Sequence, residues 1–241
     1  METRQRVFVW SRKIRLFHWL NVIAITLLIV IGLIIFNAKL LGVSTEGKIL
    51  LKTMHVLVGY VFATNLLLRL VFAFIGKSNE RWRKFLPFHK GFVKELKIFK
   101  QQNTVYKGHN PAGKLMVFVL LSLMFTQMVT GLVIAGTDIY YPPFGQYFAE
   151  RIAVDKQNLA AIKPYSKENI DEVAYKDMRA IRQPFITVHV YAFYGLLFLI
   201  PLHILGVIVA ERREKSALVS GMITGYKYLP ASDKKAPPSK E

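Results

Sequence analysis

Four long apolar stretches limit the possible folds of this chain more than any other feature of its sequence. They cover residues 16–36, 49–75, 115–135 and 185–210, and each has the roughly 20 residues that a helix needs to cross a bilayer. A bilayer offers the backbone no hydrogen-bond partners, so stretches of this kind cross it as helices. The sequence therefore predicts an all-α integral membrane protein with four transmembrane helices.

Composition supports a membrane protein and excludes several classes of cofactor. The 241 residues are 53% hydrophobic although 20% are charged, which is typical of apolar spans joined by charged loops. The net charge of +18 also fits a nucleic-acid-binding protein, but the basic residues gather beside the apolar stretches, where membrane lipid is the expected partner. With no cysteine, disulfides, iron–sulfur clusters and covalently attached c-type haem are excluded.

The basic residues also predict the orientation of the chain. Five precede the first apolar stretch and nine lie between residues 77 and 107, whereas the loop over 137–183 has seven basic and seven acidic residues. Because basic loops stay on the cytoplasmic side, we expect a multi-pass protein of a bacterial inner membrane with both termini in the cytoplasm. The first stretch has full span length and no small-residue cleavage site, so we expect no cleavable signal peptide.

The connecting segments carry further expectations. Residues 82–100 alternate apolar and basic side chains and predict a helix lying on the cytoplasmic interface. In the outer loop, residues 140–144 are Tyr-Tyr-Pro-Pro-Phe and suggest a rigid platform, and residues 168–178 predict a short amphipathic helix. We expect one domain over residues 5–215, followed by a cytoplasmic basic tail over 216–241.

Four histidines lie in the apolar stretches and suggest a cofactor. His189 and His203 are fourteen residues apart, almost four helical turns, so both lie near one face and about 21 Å apart along the axis. In the predicted orientation His18 lies at the depth of His203, near the cytoplasm, and His55 lies at the depth of His189, near the outside. Two layers of paired imidazoles predict two haems, each with two axial histidines.

Other interpretations of these residues remain open. Histidines in a membrane also join helices by hydrogen bonds or carry protons, whereas zinc needs its ligands clustered. Arg69, fourteen residues after His55, lies at the cytoplasmic layer and is a candidate partner for a haem propionate, or it extends to the interface. Arg182, just ahead of the outer layer, is a second candidate. Glycines near the outer histidines leave room for porphyrin or for helix packing; they are Gly32, Gly59, Gly131 and Gly195.

Several local motifs resemble a known family. Residues 15–21 read Arg-Leu-Phe-His-Trp-Leu-Asn, residues 55–60 read His-Val-Leu-Val-Gly-Tyr, and residues 108–113 read Gly-His-Asn-Pro-Ala-Gly. Together with the histidine pair of the fourth stretch, they resemble the prokaryotic cytochrome b561 family. Within that family they are most similar to the b-type cytochrome subunits of nickel–iron hydrogenases. The likeness covers residues 5–215.

The resemblance implies a four-helix bundle that holds two stacked b-type haems on His18, His55, His189 and His203. It implies electron transfer between the membrane quinone pool and an outer-face (periplasmic) redox protein, either a hydrogenase-like enzyme or a c-type cytochrome. It also suggests a quinone site near the cytoplasmic haem at the matching positions, His109, Asn110 and Gly113. An amide and an imidazole there would supply a hydrogen-bond donor and a proton route. Asn-Pro is equally typical of an ordinary helix start.

Two alternatives to this function remain compatible with the sequence. One is a stand-alone quinone oxidoreductase that takes electrons from a small diffusible donor such as superoxide. The other is a haem-free membrane anchor whose histidines only join helices. The length of the outer loop favours a protein partner. Both directions of electron flow are compatible with the sequence.

Overall fold

The computed structural model describes residues 4–76, 80–101 and 105–230. Four of its helices are long and apolar enough to cross a membrane, as the sequence predicted. The elements, in chain order, are β1 (Arg4–Phe8), α1 (Arg12–Phe36), α2 (Thr45–Ile75), α3 (Trp82–Phe85), α4 (Phe92–Gln101), α5 (Pro111–Asp138), α6 (Gly145–Ile152), α7 (Glu172–Glu214), α8 (Leu218–Thr224) and β2 (Tyr226–Pro230).

Side-chain caps determine where three of the four long helices begin. Each cap accepts a hydrogen bond from the backbone N–H three residues further on, which satisfies one of the donors left free in a first turn. Ser44 Oγ accepts from Gly47 at 3.0 Å, Asn110 Oδ1 from Gly113 at 2.7 Å and Asp171 Oδ1 from Ala174 at 2.9 Å. The capped helices α2, α5 and α7 all begin before the apolar stretches that they contain.

The predictions for the two connecting helices were wrong in detail. The expected separate helix over 168–178 does not exist as such, because α7 begins at Glu172 and continues into the fourth apolar stretch. The expected single helix over 82–100 is divided into α3 and α4. Pro87 ends the first of these, since a residue before proline disfavours helical geometry, and Leu86 is accordingly extended (φ −74°, ψ 135°).

The structure divides into two compact units. The terminal unit comprises Met1–Trp19, Leu67–Ser122 and Leu196–Glu241, and the loop unit comprises Leu20–Leu66 and Leu123–Gly195. Each of the four long helices contributes one segment to each unit. The histidines divide in the same way, with His18 and His203 in the terminal unit and His55 and His189 in the loop unit.

The terminal unit also contains a two-stranded sheet. Strand β1 pairs antiparallel with β2, with Arg4 opposite Pro230 and Phe8 opposite Tyr226. The turn between α8 and β2 is made by Gly225, whose φ of 91° suits glycine. Helix α8 and strand β2 lie within the expected cytoplasmic basic tail over 216–241. The pairing was not predictable because the two strands are more than 200 residues apart in the chain.

The loop unit has its own small core within the outer loop. Helix α6 packs its buried face against the loop and the start of α7, through Phe148, Ala149, Ile152, Ile162 and Met178. Residues 140–144, expected to be a rigid platform, form the turn before α6, where Tyr140 has a φ of 58°. A Cβ on Gly145 would lie 2.0 Å from the Tyr140 carbonyl oxygen, so only glycine fits there.

Candidate haem-binding and quinone-binding sites

The imidazole rings of His55 and His189 lie edge to face beside each other in the loop unit. Their centroids are 6.4 Å apart and their planes are inclined by 67°. A metal–imidazole bond is about 2 Å long, so two imidazoles that bind one metal ion from opposite sides have centroids about 6 Å apart. The pair therefore has the spacing that a bis-histidine haem iron requires.

Two glycines leave space beside these two rings. A Cβ added to Gly32 of α1 would lie 3.4 Å from Cε1 of His55, and one added to Gly131 of α5 would lie 3.4 Å from Cε1 of His189. The absence of a side chain at both positions keeps the neighbourhood of each imidazole open. A flat cofactor held between the histidines needs such open space.

His189 is also held by two polar side chains of α5. Thr130 Oγ1 lies 2.8 Å from His189 Nδ1, and Gln127 Nε2 donates to the His189 carbonyl oxygen at 3.0 Å. Neither residue was named in the sequence analysis. The signal that would have found them is their spacing, since two polar residues three positions apart in an apolar span share one helix face.

The second histidine pair lies in the terminal unit. His18 of α1 and His203 of α7 both belong to it. Within the described residues, the Nδ1 atoms of His18 and His55 are buried and have no hydrogen-bond partner. Buried imidazole nitrogens are normally bonded, so both rings are suited to holding a further group.

Arg69, the predicted propionate partner, lies in the same unit as His18. It is 8% exposed, and its guanidinium donates to the Glu80 carbonyl oxygen at 3.2 Å. Its Cζ lies 5.9 Å from the ring centroid of Phe17, the residue before His18. A buried guanidinium held near His18 suits the binding of an anionic group.

The predicted quinone-site residues lie together at the start of α5. Asn110 uses both ends of its amide within the protein, because Oδ1 caps α5 and Nδ2 donates to Glu214 Oε1 at 2.7 Å. The His109 ring packs against Trp10 with a centroid separation of 4.7 Å. Asn110 and Gly113 therefore form a helix start, and His109 is the side chain of this group that remains for a ligand.

Burial and nearby cations keep His109 neutral. Burial is the larger cause, and together with the positive charges of Lys227, Arg69 and Lys114 it lowers the pKa of His109 to about 3. Lys227 lies beside it, with Nζ donating to the carbonyl oxygens of Gly108 at 3.1 Å and Tyr106 at 3.4 Å. Burial lowers the pKa of Lys227 to about 8, against the opposing effect of Glu214.

The sequence of nearly the whole described chain matches one family. The family model for prokaryotic cytochrome b561 matches residues 9–225. The chain belongs to the prokaryotic cytochrome b561 family. Together with the four apolar helices, membership makes this cytochrome a multi-pass membrane protein, and haem b is the cofactor that a b-type cytochrome carries.

Known relatives of the cytochrome are named as hydrogenase subunits. It is 24% identical to a probable Ni/Fe-hydrogenase B-type cytochrome subunit of Rhodobacter capsulatus, over 93% of this chain and 82% of the relative. A protein of the same name from Rhizobium leguminosarum bv. viciae is 26% identical, over 94% and 90%. A third, from Bradyrhizobium diazoefficiens, is 23% identical, over 94% and 87%. No solved structure matches the cytochrome.

Arg182, the other residue predicted to bind a haem propionate, already has an anionic partner. Its NH1 donates to Asp138 Oδ1 at 2.8 Å and to the Thr137 carbonyl oxygen at 2.9 Å. Asp138 also accepts from Lys52, which lies three residues before His55, and Lys52 donates to the Tyr165 hydroxyl at 2.7 Å. Two cations thus share one carboxylate beside the histidines of the loop unit, an arrangement that the sequence analysis missed.

Proposed function

We propose that this cytochrome transfers electrons across a bacterial inner membrane through two b haems. His18 and His203 hold one haem, and His55 and His189 hold the other. The observation that supports the proposal best is the 6.4 Å separation of the His55 and His189 rings, which fits a shared iron. The same helix, α7, supplies one ligand to each haem.

Haem b, when bound, supplies the one-electron redox chemistry. The histidines orient it, and Gly32 and Gly131 leave room for it beside the rings. Arg69 offers a buried positive charge to a propionate in the terminal unit. In the loop unit the charge of Arg182 is already paired with Asp138, which also pairs with Lys52. The apolar surroundings of both pairs keep water away and favour retention of the electron within the protein.

We also propose that electrons are exchanged with quinone near His109, Asn110 and Gly113. His109 is the hydrogen-bonding group, and Asn110 fixes the start of α5 by its contacts with Gly113 and Glu214. A neutral imidazole both donates and accepts, so it can hydrogen-bond a quinone carbonyl or the hydroxyl of a quinol. Its position in the terminal unit, with His203 near enough to affect its charge, supports this assignment.

The partner at the other face is proposed from the relatives. Proteins that match 93% and 94% of this chain are named as probable cytochrome subunits of Ni/Fe hydrogenases, so we propose a hydrogenase as the redox partner. Both termini lie in the cytoplasm, since the basic residues of the chain are concentrated before the first apolar stretch and between α2 and α5. The hydrogenase then docks on the opposite face, which includes the loop over 137–183.

The haem assignment is tested by absorbance and haem content of protein purified in detergent. Wild type should show a reduced-minus-oxidised b-type spectrum and two haems per chain, and His55→Ala and His203→Ala should each lose one. The control is His89→Ala, because His89 is an exposed residue bonded to Glu95 at 3.1 Å outside the long helices. A colourless wild type would overturn the proposal and support a membrane anchor.

The partner assignment needs a separate experiment. Haem reduction should be followed under hydrogen with and without the hydrogenase encoded by the same organism, and with a soluble quinone as acceptor. Reduction that requires the hydrogenase supports the proposal. Rapid reduction by superoxide with no added subunit, followed by quinone reduction, would replace it with the stand-alone oxidoreductase.

A further inference from the structure

Thr130 stands out among the polar side chains of the long helices because it contacts a proposed haem ligand directly. Its side chain is 5% exposed, and Oγ1 lies 2.8 Å from Nδ1 of His189. Both residues belong to the loop unit, on α5 and α7 respectively. The contact is as short as a well-formed hydrogen bond.

The direction of this hydrogen bond follows from the other partners of the hydroxyl. Thr130 Oγ1 also lies 2.7 Å from the Thr126 carbonyl oxygen and 3.3 Å from the Gln127 carbonyl oxygen. A carbonyl oxygen only accepts, and a hydroxyl has a single hydrogen to donate. When the hydrogen of Thr130 is donated to the Thr126 carbonyl oxygen, the nearest of its partners at 2.7 Å, its oxygen is left to accept the hydrogen of His189 Nδ1–H.

This direction selects one tautomer of His189. A neutral imidazole with its hydrogen on Nδ1 has its free lone pair on Nε2. We propose that Thr130 is a positioning residue that holds His189 in this tautomer, so that Nε2 is the nitrogen offered to the haem iron. The inference rests on the proposed function, since it concerns a ligand of the haem assigned to the loop unit.

Two neighbours of Thr130 act on the same histidine. Gln127, one turn earlier on α5, donates to the His189 carbonyl oxygen at 3.0 Å and fixes the backbone. Gly131, the next residue, leaves the space beside Cε1 open. One face of α5 thus fixes the backbone of His189 through Gln127, selects its tautomer through Thr130 and leaves space beside its ring at Gly131.

His55, the other proposed ligand of the same haem, has no equivalent hydrogen bond among the described residues. Nδ1 of His55 is buried and has no hydrogen-bond partner among the described residues. An imidazole that donates through its second nitrogen is a more basic ligand, and a more basic ligand favours ferric over ferrous iron. Thr130 should therefore lower the reduction potential of the haem in the loop unit, through His189 alone.

The experiment is a redox titration of Thr130 variants in the His203→Ala background, where only the haem of the loop unit should remain. Thr130→Val keeps the shape of the side chain and removes the hydroxyl. We expect the preference of the protein for ferric over ferrous haem to fall about tenfold, the lower end of the effects seen when a hydrogen bond to a metal ligand is lost. A tenfold change corresponds to a reduction potential that is higher by about 59 mV for one electron. Thr130→Ser keeps the hydroxyl and should restore the wild-type potential.

A closely matched control lies on the same helix. Thr137 is fully buried, and its hydroxyl donates to the Val133 carbonyl oxygen at 2.8 Å and approaches that of Ile134 at 3.3 Å. Thr130, two turns earlier on α5, makes the same contacts with Thr126 and Gln127. No hydrogen bond from its side chain to a histidine is present in the described part of the chain. Thr137→Val should leave the potential unchanged.

The outcomes separate this inference from the proposed function. An unchanged potential in Thr130→Val, with the haem still bound, would overturn the role of Thr130 and leave the haem assignment intact. A wild type without haem would instead remove the proposed function. Thr130→Ala also lacks the hydroxyl and must shift the potential in the same direction as Thr130→Val. A shift in Thr130→Val alone would mean altered packing and would count against the inference.

Discussion

Arg182 of α7 donates a 2.8 Å hydrogen bond to the carboxylate of Asp138 at the last residue of α5. The same carboxylate pairs with Lys52 of α2, so one acid joins three long helices of the loop unit. The side chains are 11%, 23% and 20% exposed for Arg182, Asp138 and Lys52. They are therefore only partly screened by water, and the pairing matters more than it would on an open surface.

Replacing Asp138 should destabilise the protein. Asp138→Asn leaves Lys52 and Arg182 without their shared carboxylate, at a cost of about 1–3 kcal/mol, between the values for exposed and fully buried pairs. Thermal unfolding in detergent, followed by circular dichroism, measures the effect. Asp177→Asn is the control, because it removes the same charge from an exposed position on α7. Equal unfolding temperatures for the two variants would contradict the prediction.

A graded substitution at Gly131 should test the space beside His189. Gly131→Ala places a Cβ 3.4 Å from Cε1 of the ring, an ordinary contact, so haem content should remain near that of wild type. Gly131→Leu fills the space further and should cost one haem per chain, leaving the haem of His18 and His203. The haem-to-protein ratio of the purified variants measures this. Two haems in Gly131→Leu would show that the space is not used by a cofactor.

The absence of cysteine from the chain makes its orientation simple to test. Gln101→Cys, at the end of α4, and Gln157→Cys, in the outer loop, both introduce a single thiol at an exposed position. In intact spheroplasts, a maleimide that cannot cross the membrane should label Gln157→Cys alone, because basic segments remain in the cytoplasm. Gln101→Cys should react only after lysis. The reverse pattern would invert the proposed orientation.

Lys227 should make stability rise with pH above about 8. Burial lowers its pKa from 10.5 to about 8 in the folded protein. Between these values the unfolded chain holds a proton that the folded chain lacks, so the free energy of unfolding increases with pH. Lys227→Met should remove this increase, seen as a smaller gain in unfolding temperature between pH 8 and pH 10.

The matched control for this pH dependence is Lys156→Met, at an exposed position. It loses the same charge and should retain the wild-type slope, because Lys227 is still present. If unfolding temperature rose equally with pH in Lys227→Met and in wild type, Lys227 would have to remain protonated in the folded protein, and the prediction would be wrong.

The sequence was sufficient to predict the four membrane helices because length and hydropathy determine them. The division of the histidines followed from topology, since alternating helix directions place His55 with His189 and His18 with His203. By contrast, neither β1 nor β2 has a neighbouring strand close to it in the sequence with which it could pair. Their five residues each carry too little alternation to predict a strand, and the pairing depends on the fold of everything between them.

The side chains that support the histidines were not predictable for a different reason. Thr130 and Gln127 are visible in the sequence as polar residues of an apolar span. Their partner on α7 is defined only once the rotation of both helices is known. Asn110 illustrates the converse: its type suits a ligand contact as well as a cap, and only its bonds to Gly113 and Glu214 distinguish the two.

The pairing of β1 with β2 has a consequence for biosynthesis. Strand β1 is synthesised before the other described elements and can pair only after Tyr226–Pro230, the last of them, has been made. The loop unit ends at Gly195, so His55 and His189 are both available before the terminal unit has received His203. During its synthesis the cytochrome therefore passes through a stage in which one of the two proposed haem sites has both of its histidines and the other still lacks one.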